Sequence, residues 1–294
     1  MLTRETMAAR LEAVGYIADS DLVGVLWLMD YLSRPLLIEG EAGVGKTEVA
    51  KALAQLHECP LIRLQCYEGL DQNAALYEWN YQKQLLAIRL REGQGAAEAL
   101  EAHVFSAPYL LERPLLRAIR SPEPVVLLID EIDRADEEFE AFLLELLSDF
   151  QVTIPELGTL SAVTMPRIIL TSNGTRDISD ALRRRCLYHY LEFPDIGRET
   201  RILSTRLPQI SAQLAGQVAE IVAALRKEDL AKRPGVAETL DWAASLIGLK
   251  VEDLGASPQA AYACLAALLK TKDDRASISI EVIKRLTGKL EAVG

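Results

Sequence analysis

Sulfur and imidazole are scarce in this sequence, which has four cysteines and three histidines among 294 residues. Cys59, Cys66, Cys186 and Cys264 form no C-x-x-C pair and share no zinc-ligand spacing with the histidines. They read as reduced, mostly buried thiols of a cytoplasmic protein. Long apolar runs are missing too: charge-free stretches such as Ala260 to Leu269 fall well short of the ~20 residues a membrane-crossing helix needs. Stable membrane insertion is therefore not expected. The N-terminus lacks the basic, apolar, small-residue order of a signal peptide, because Arg4, Glu5, Arg10 and Glu12 interrupt it. Positive charge is also in deficit, with 43 acidic against 32 basic residues and a formal charge of -11. Such a field repels phosphate backbones and anionic lipid, so nucleic acid is not an expected partner.

Apolar residues, in contrast, make up 50% of the chain, enough to bury a real core in one large domain or two smaller ones. The first thirty residues read as two helices, Thr3 to Val14 and one capped at Asp19-Ser20-Asp21 that runs to about Leu32. Pro35 then opens a short strand to Glu39, followed by a glycine-rich turn and a helix over Glu48 to Leu56. Further apolar runs at 61–64, 125–129, 168–171 and 188–193 are separated by helical patterns, the signature of a parallel sheet with helices on both faces. Val125-Val-Leu-Leu-Ile129 is apolar throughout, as a central strand should be. About sixty residues between the second and third strands read as helical, interrupted at Gly93-Gln-Gly95. Gln151 to Ile154, Pro155 and Gly158 predict a hairpin. Past Pro194 the pattern is almost wholly helical, which sets a domain boundary near Asp195: residues 1–194 an α/β nucleotide-binding domain, 195–294 a small helical domain.

Gly40-Glu-Ala-Gly-Val-Gly45-Lys46-Thr47 matches the P-loop pattern G-x-x-x-x-G-K-[ST] in full, with a strand in front and a helix behind. In such a loop the glycines turn backbone N–H groups toward phosphates, the lysine reaches the β and γ phosphates of ATP, and the Thr47 hydroxyl ligates magnesium. Gly40, Glu41, Ala42, Gly43, Val44, Gly45, Lys46, Thr47 and Glu48 are the expected nucleotide-binding residues. Hydrolysis needs a second acidic site at the end of a neighbouring strand, and Asp130-Glu131 directly follows the most apolar run. Asp130 is expected to hold the magnesium shell with Thr47. Glu131 is left to orient and deprotonate the attacking water. A solvated acidic helix start is the alternative, given Asp133, Asp136, Glu137 and Glu138 close behind.

The run 168–171 ends in Ser172-Asn173-Gly174. Asn173 is a water-positioning or phosphate-sensing residue if this strand neighbours the P-loop strand, and an ordinary Asn-Gly turn otherwise. Arg183-Arg184-Arg185 follows a short helix over Ile178 to Leu182 and is either a solvated patch or the source of an arginine finger supplied to a neighbouring subunit.

Together these motifs resemble the AAA+ ATPases and, within them, the MoxR-like branch; the similarity covers nearly the whole chain. Leu143 to Ile154 is similar to that branch's helix and hairpin after the acidic motif, and the stretches 77–90 and 233–243 look like its CoxD-type members, which are associated with maturing the metal centre of carbon monoxide dehydrogenase. The resemblance implies a P-loop NTPase sheet of five parallel strands in the order 5-1-4-3-2, a C-terminal all-α lid, and a homo-oligomeric ring, usually a hexamer, with nucleotide between subunits. It places Asn173 at the sensor 1 position and makes Arg185 the best finger candidate, with Arg183 and Arg184 as alternatives. The branch's Ser-Pro-Arg sensor 2 is absent, since Ser257-Pro258 is followed by Gln259, so that role passes to Arg233. A von Willebrand A-domain adaptor and a metalloenzyme client are implied as partners. Pore-facing contacts are expected from residues 76–95 or 151–163.

The leading functional reading is thus an ATP-driven remodelling chaperone. A nucleotide-gated scaffold with little turnover and a DNA-directed AAA+ motor are the alternatives; the intact Glu131 argues against the first and the acidic balance against the second.

Overall fold

The computed structural model describes residues 3–90, 100 and 103–291. Nine strands are formed among them: β1 (Leu36–Glu39), β2 (Leu61–Gln65), β3 (Tyr77–Trp79), β4 (Leu110–Glu112), β5 (Val126–Asp130), β6 (Gln151–Ile154), β7 (Gly158–Ser161), β8 (Arg167–Ser172) and β9 (Leu187–Tyr190). Five of them make one sheet in the order β2-β5-β8-β1-β9, every pairing parallel. Numbered along the chain within that sheet alone, the order is 5-1-4-3-2, as expected. The apolar run expected to be a central strand forms β5, an interior strand second from the edge while β8 holds the middle; β5 is buried at every position, whereas the edge strand β2 alternates and turns Arg63 and Gln65 outward.

The chain divides into two compact units. The first comprises Met1–Ala8, Ser20–Glu39 and Thr47–Tyr190 and holds the sheet. Its core joins Leu37, Leu127, Ile129 and Leu170 of the strands to Phe139, Leu143, Leu146 and Leu147 of the helix Glu137–Asp149. Asp136 caps that helix by accepting from the Phe139 N–H at 2.8 Å. The helix delivers the chain into the expected hairpin, β6 paired antiparallel with β7. The second unit comprises Ala9–Asp19, Gly40–Lys46 and Leu191–Gly294. Its helices pack around the fully buried Trp242, with Leu214, Val218, Val222 and Leu246. Asp195, the residue at which a boundary was expected, caps the helix Ile196–Arg206.

Four readings from the sequence are corrected. The segment between β2 and β5 is not wholly helical: β3 and β4 pair antiparallel, Tyr77 opposite Glu112. Tyr77 and Trp79 are buried there, their rings edge-on at 6.0 Å. Three residues are too few for a strand period to emerge, and their partner lies some thirty positions away. The last strand stops at Tyr190 rather than Phe193. The short helix runs Asp180–Arg185, capped by Ser179, so the three arginines form its last turn instead of following it. The helix behind the glycine loop begins at Lys46 rather than Glu48. The expected break at Gly93 and Gly95 lies outside the described residues.

Candidate functional site

The glycine loop leaves β1 and enters the helix Lys46–Leu56. Gly43 and Gly45 sit at φ +87° and +102°, conformations that a side chain makes costly, so both glycines are needed for the turn. Gly40 and Gly43 are needed for a second reason. A Cβ on Gly40 would lie 2.3 Å from the Leu191 carbonyl oxygen, and one on Gly43 would lie 2.8 Å from the Gly235 Cα. Val236 N–H donates to the Gly43 carbonyl at 2.9 Å. Lys46 is buried, and its Nζ donates to the carbonyls of Gly40 and Glu41 at 2.7 and 2.8 Å, so the ammonium lies across its own loop. Arg233, half exposed, pairs with Glu41 at 2.8 Å.

In the sheet unit the acidic pair stands at the carboxyl end of β5. Asp130 is 3% exposed. Its Oδ1 accepts from the Thr171 hydroxyl at 2.5 Å and from the Thr47 hydroxyl at 3.2 Å. Its Oδ2 accepts from Arg63 Nε at 3.0 Å and Nη2 at 2.6 Å. Glu131 has left-handed backbone at φ +55°, an unfavourable conformation for a non-glycine residue of the kind that concentrates at functional sites. It is held there by its N–H, which donates to Thr171 Oγ1 at 2.9 Å. Its carboxylate accepts from Gln65 Nε2 at 3.1 Å and Arg134 Nη1 at 3.2 Å. Thr171 therefore links both carboxylate residues through one hydroxyl. Neither it nor Arg63 nor Gln65 was singled out from sequence; Thr171 stands two positions before Asn173, while the strand pairing that brings β2 beside β5 has no local signal.

Asn173 follows β8 directly, and β8 pairs with β1, Ser172 opposite Glu39. Asn173 thus leaves a strand that neighbours the one before the glycine loop. Its backbone N–H, with the Thr175 N–H and hydroxyl, bonds Asp133. Burial pushes the Asp133 carboxyl up, but these bonds together hold it below the usual aspartate range. Burial, and then the charges of Asp130, Asp133 and Glu131, raise the Cys66 thiol beside them to about 12. Such a shift disfavours the thiolate at neutral pH.

The three arginines differ in their engagements. Arg183 lies over the Tyr188 ring at 5.9 Å and reaches Glu39 at 3.4 Å. Arg185 donates from Nε to Ser148 Oγ at 2.6 Å and from Nη1 to the Ala181 carbonyl at 2.9 Å. Arg184 projects outward with 82% of its side chain exposed. The buried Glu140, paired with Arg176, accepts from the Ser179 N–H at 2.9 Å and so fixes the start of the arginine helix. Among the described residues, no helix is long and apolar enough to cross a membrane.

A glycine loop between a strand and a helix, and two carboxylates at the end of an interior strand, stand beside what comparison with other proteins finds. Over 261 residues the chain is 24% identical to the denitrification regulatory protein NirQ of Stutzerimonas stutzeri, spanning 85% of this chain and 83% of NirQ. It is 27% identical over 179 residues to the chaperone protein ClpB of Chlamydia trachomatis, spanning 57% of this chain but 18% of ClpB. The Thermotoga maritima RuvB Holliday junction branch migration motor aligns at a TM-score of 0.45 and 15% identity, covering 87% of this chain and 69% of that one, too low a likeness to carry an argument. Residues 35–186, from the start of β1 to the end of the arginine helix, match the family model described as AAA domain, dynein-related subfamily. By that match, over the stretch that builds four of the five sheet strands and the acidic pair, the chain belongs to the dynein-related subfamily of AAA domains, a group of ATPases.

Proposed function

We propose that this protein is a magnesium-dependent ATPase of the MoxR type that assembles into a ring, a hexamer by that resemblance, and spends ATP on remodelling a client in the cytoplasm. The client is a metalloenzyme whose metal centre is being matured, carbon monoxide dehydrogenase by the likeness to CoxD-type sequences, with a von Willebrand A-domain protein as adaptor. Residues 1–194 carry the nucleotide and 195–294 act as the lid. The names of two relatives, a denitrification regulator and a chaperone, support a role exerted on other proteins.

The observation that carries this reading is the Thr47 hydroxyl and Asp130 carboxylate at 3.2 Å, with Glu131 tied to the same Thr171 hydroxyl. A hydroxyl facing a carboxylate is the oxygen donor set that a hard dication takes, so Thr47 and Asp130 fit magnesium. When bound, magnesium supplies positive charge to the phosphate oxygens. Lys46 and the loop N–H groups hold the phosphates, and Glu131 takes the proton of the attacking water. Asn173 positions that water. Arg233 senses the γ-phosphate from the lid, and Arg185 reaches into the neighbouring subunit's site, with Arg184, the most exposed of the three, as its competitor.

Hydrolysis per subunit, followed as protein concentration rises, tests chemistry and assembly together. Specific activity is expected to climb with concentration. Arg185→Ala is expected to lower it about 10³-fold without blocking assembly, the cost typical of a lost finger. Activity independent of concentration and unaffected by both Arg185→Ala and Arg184→Ala would sink the shared-site ring.

A further inference from the structure

Arg226, at the C-terminal end of the helix Ala212–Leu225, is a buried charge that the proposed chemistry does not use. Its Nε donates to the Pro234 carbonyl at 2.9 Å, and its two Nη groups donate to the Glu199 carboxylate at 2.6 and 2.8 Å. Nη2 also reaches Thr239 Oγ1 at 3.4 Å, and the guanidinium lies over the Phe193 ring at 4.4 Å. Arg226 is 8% exposed and Glu199 1%. Desolvating such a pair is costly, and well-packed aliphatic side chains would serve stability as well or better. A planar fork does something an aliphatic cannot: it grips several chain segments at fixed geometry.

The segments it grips are those that flank the glycine loop. Phe193 belongs to the stretch whose Leu191 carbonyl abuts Gly40, and Pro234 precedes Gly235 and Val236, which abut Gly43. The second stretch is anchored from its other side by Asp274, 3% exposed, whose carboxylate accepts from the N–H groups of Ala231 and Lys232 at 2.7 and 3.2 Å. Arg226 thus commits one of its hydrogen bonds, and Asp274 two, to the backbone of one loop. That loop touches the phosphate-binding turn at a distance where neither Gly43 nor Gly235 leaves space for a methyl group.

We propose that Arg226, with Glu199 and Asp274, is a positioning residue for the phosphate loop. It sets the separation of the two backbone walls at Gly40 and Gly43, and through them nucleotide affinity, without touching nucleotide. The proposal rests on reading Gly40 to Thr47 as the nucleotide loop. Its test uses the full chain with wild type, Lys46→Ala, Arg226→Lys and Asp274→Asn. Titration with a fluorescent N-methylanthraniloyl ADP is paired with hydrogen exchange at the Val236 amide. Arg226→Lys keeps the charge but loses the fork. Its dissociation constant is expected to rise about tenfold, the worth of one charge-assisted hydrogen bond. The Val236 amide should exchange faster, while the far-UV spectrum and a cooperative melt are kept and KM for ATP rises more than kcat falls. Should Arg226→Lys fail to fold, Asp274→Asn, outside the ion pair, carries the same readouts. A folded variant with wild-type affinity and wild-type Val236 exchange would overturn the proposal. Wild type that binds no better than Lys46→Ala would instead remove the nucleotide-loop reading, and Val236 exchange would still decide whether Arg226 positions the loop.

Discussion

At the scale of single residues, the acidic site is organised by a hydroxyl. Thr171 donates to Asp130 and accepts from the Glu131 N–H, so one oxygen keeps the carboxylate oriented and stabilises the left-handed backbone that aims Glu131. Replacing it with valine preserves shape and removes both bonds, leaving the part-buried Glu131 N–H without this acceptor and the buried Asp130 Oδ1 with the Thr47 hydroxyl alone. Such a loss costs about 1–3 kcal/mol. Thr171→Val is therefore expected to lower the single-turnover hydrolysis rate about tenfold or more, while the nucleotide dissociation constant stays within about threefold. An unchanged rate in a folded variant would show that Glu131 does not depend on this bond. The local pattern of Asp130 and Glu131 after five apolar residues was readable in the sequence, as was Asn173 after an apolar run. Thr171, Arg63 and Gln65 were not, because each acts across a strand pairing that has no local signature.

Among the elements, several helices end in a way the sequence does not advertise. Ser33, Glu58, Phe150 and Lys250 each sit at or just past a helix C-terminus with φ between +49° and +57°, where glycine is the usual occupant. Phe150 and its neighbours are held by core packing, but Lys250 is exposed and its conformation is unrelieved by contacts of that kind. A left-handed non-glycine residue costs about 1–2 kcal/mol, part of which glycine returns as greater unfolded-state freedom. Lys250→Gly is expected to stabilise the second unit by about 0.5–1 kcal/mol, read as a higher denaturant midpoint with an unchanged slope. A lower midpoint would mean that the lysine stem contributes more than its backbone costs.

For the molecule as a whole, net charge weighs against nucleic acid as a partner. With 43 acidic and 32 basic residues, association with a nucleic acid would bring like charges together. No shift of duplex DNA is expected in a gel at ~0.15 M salt, where screening leaves little but specific contacts. A shift that weakens steeply as salt rises would revive the DNA-motor reading. The five-strand order was expected from the family resemblance and is observed. The antiparallel ribbon of β3 and β4 was not, since its two strands of three residues meet only through tertiary pairing.

By itself the sequence determined the glycine loop, the strand before it, the acidic pair, the hairpin after the helix Glu137–Asp149 and the change to helices near Asp195. These are local features, written as glycine spacing, apolar runs and caps within a few positions of one another. Tertiary structure alone decided that Arg63 grips Asp130, that Gln65 reaches Glu131, and that Arg226 joins Phe193 to Pro234 around two loop glycines. Those contacts join residues up to some seventy positions apart, and a bond between distant residues forms only once the sheet order and helix packing have brought their backbones together.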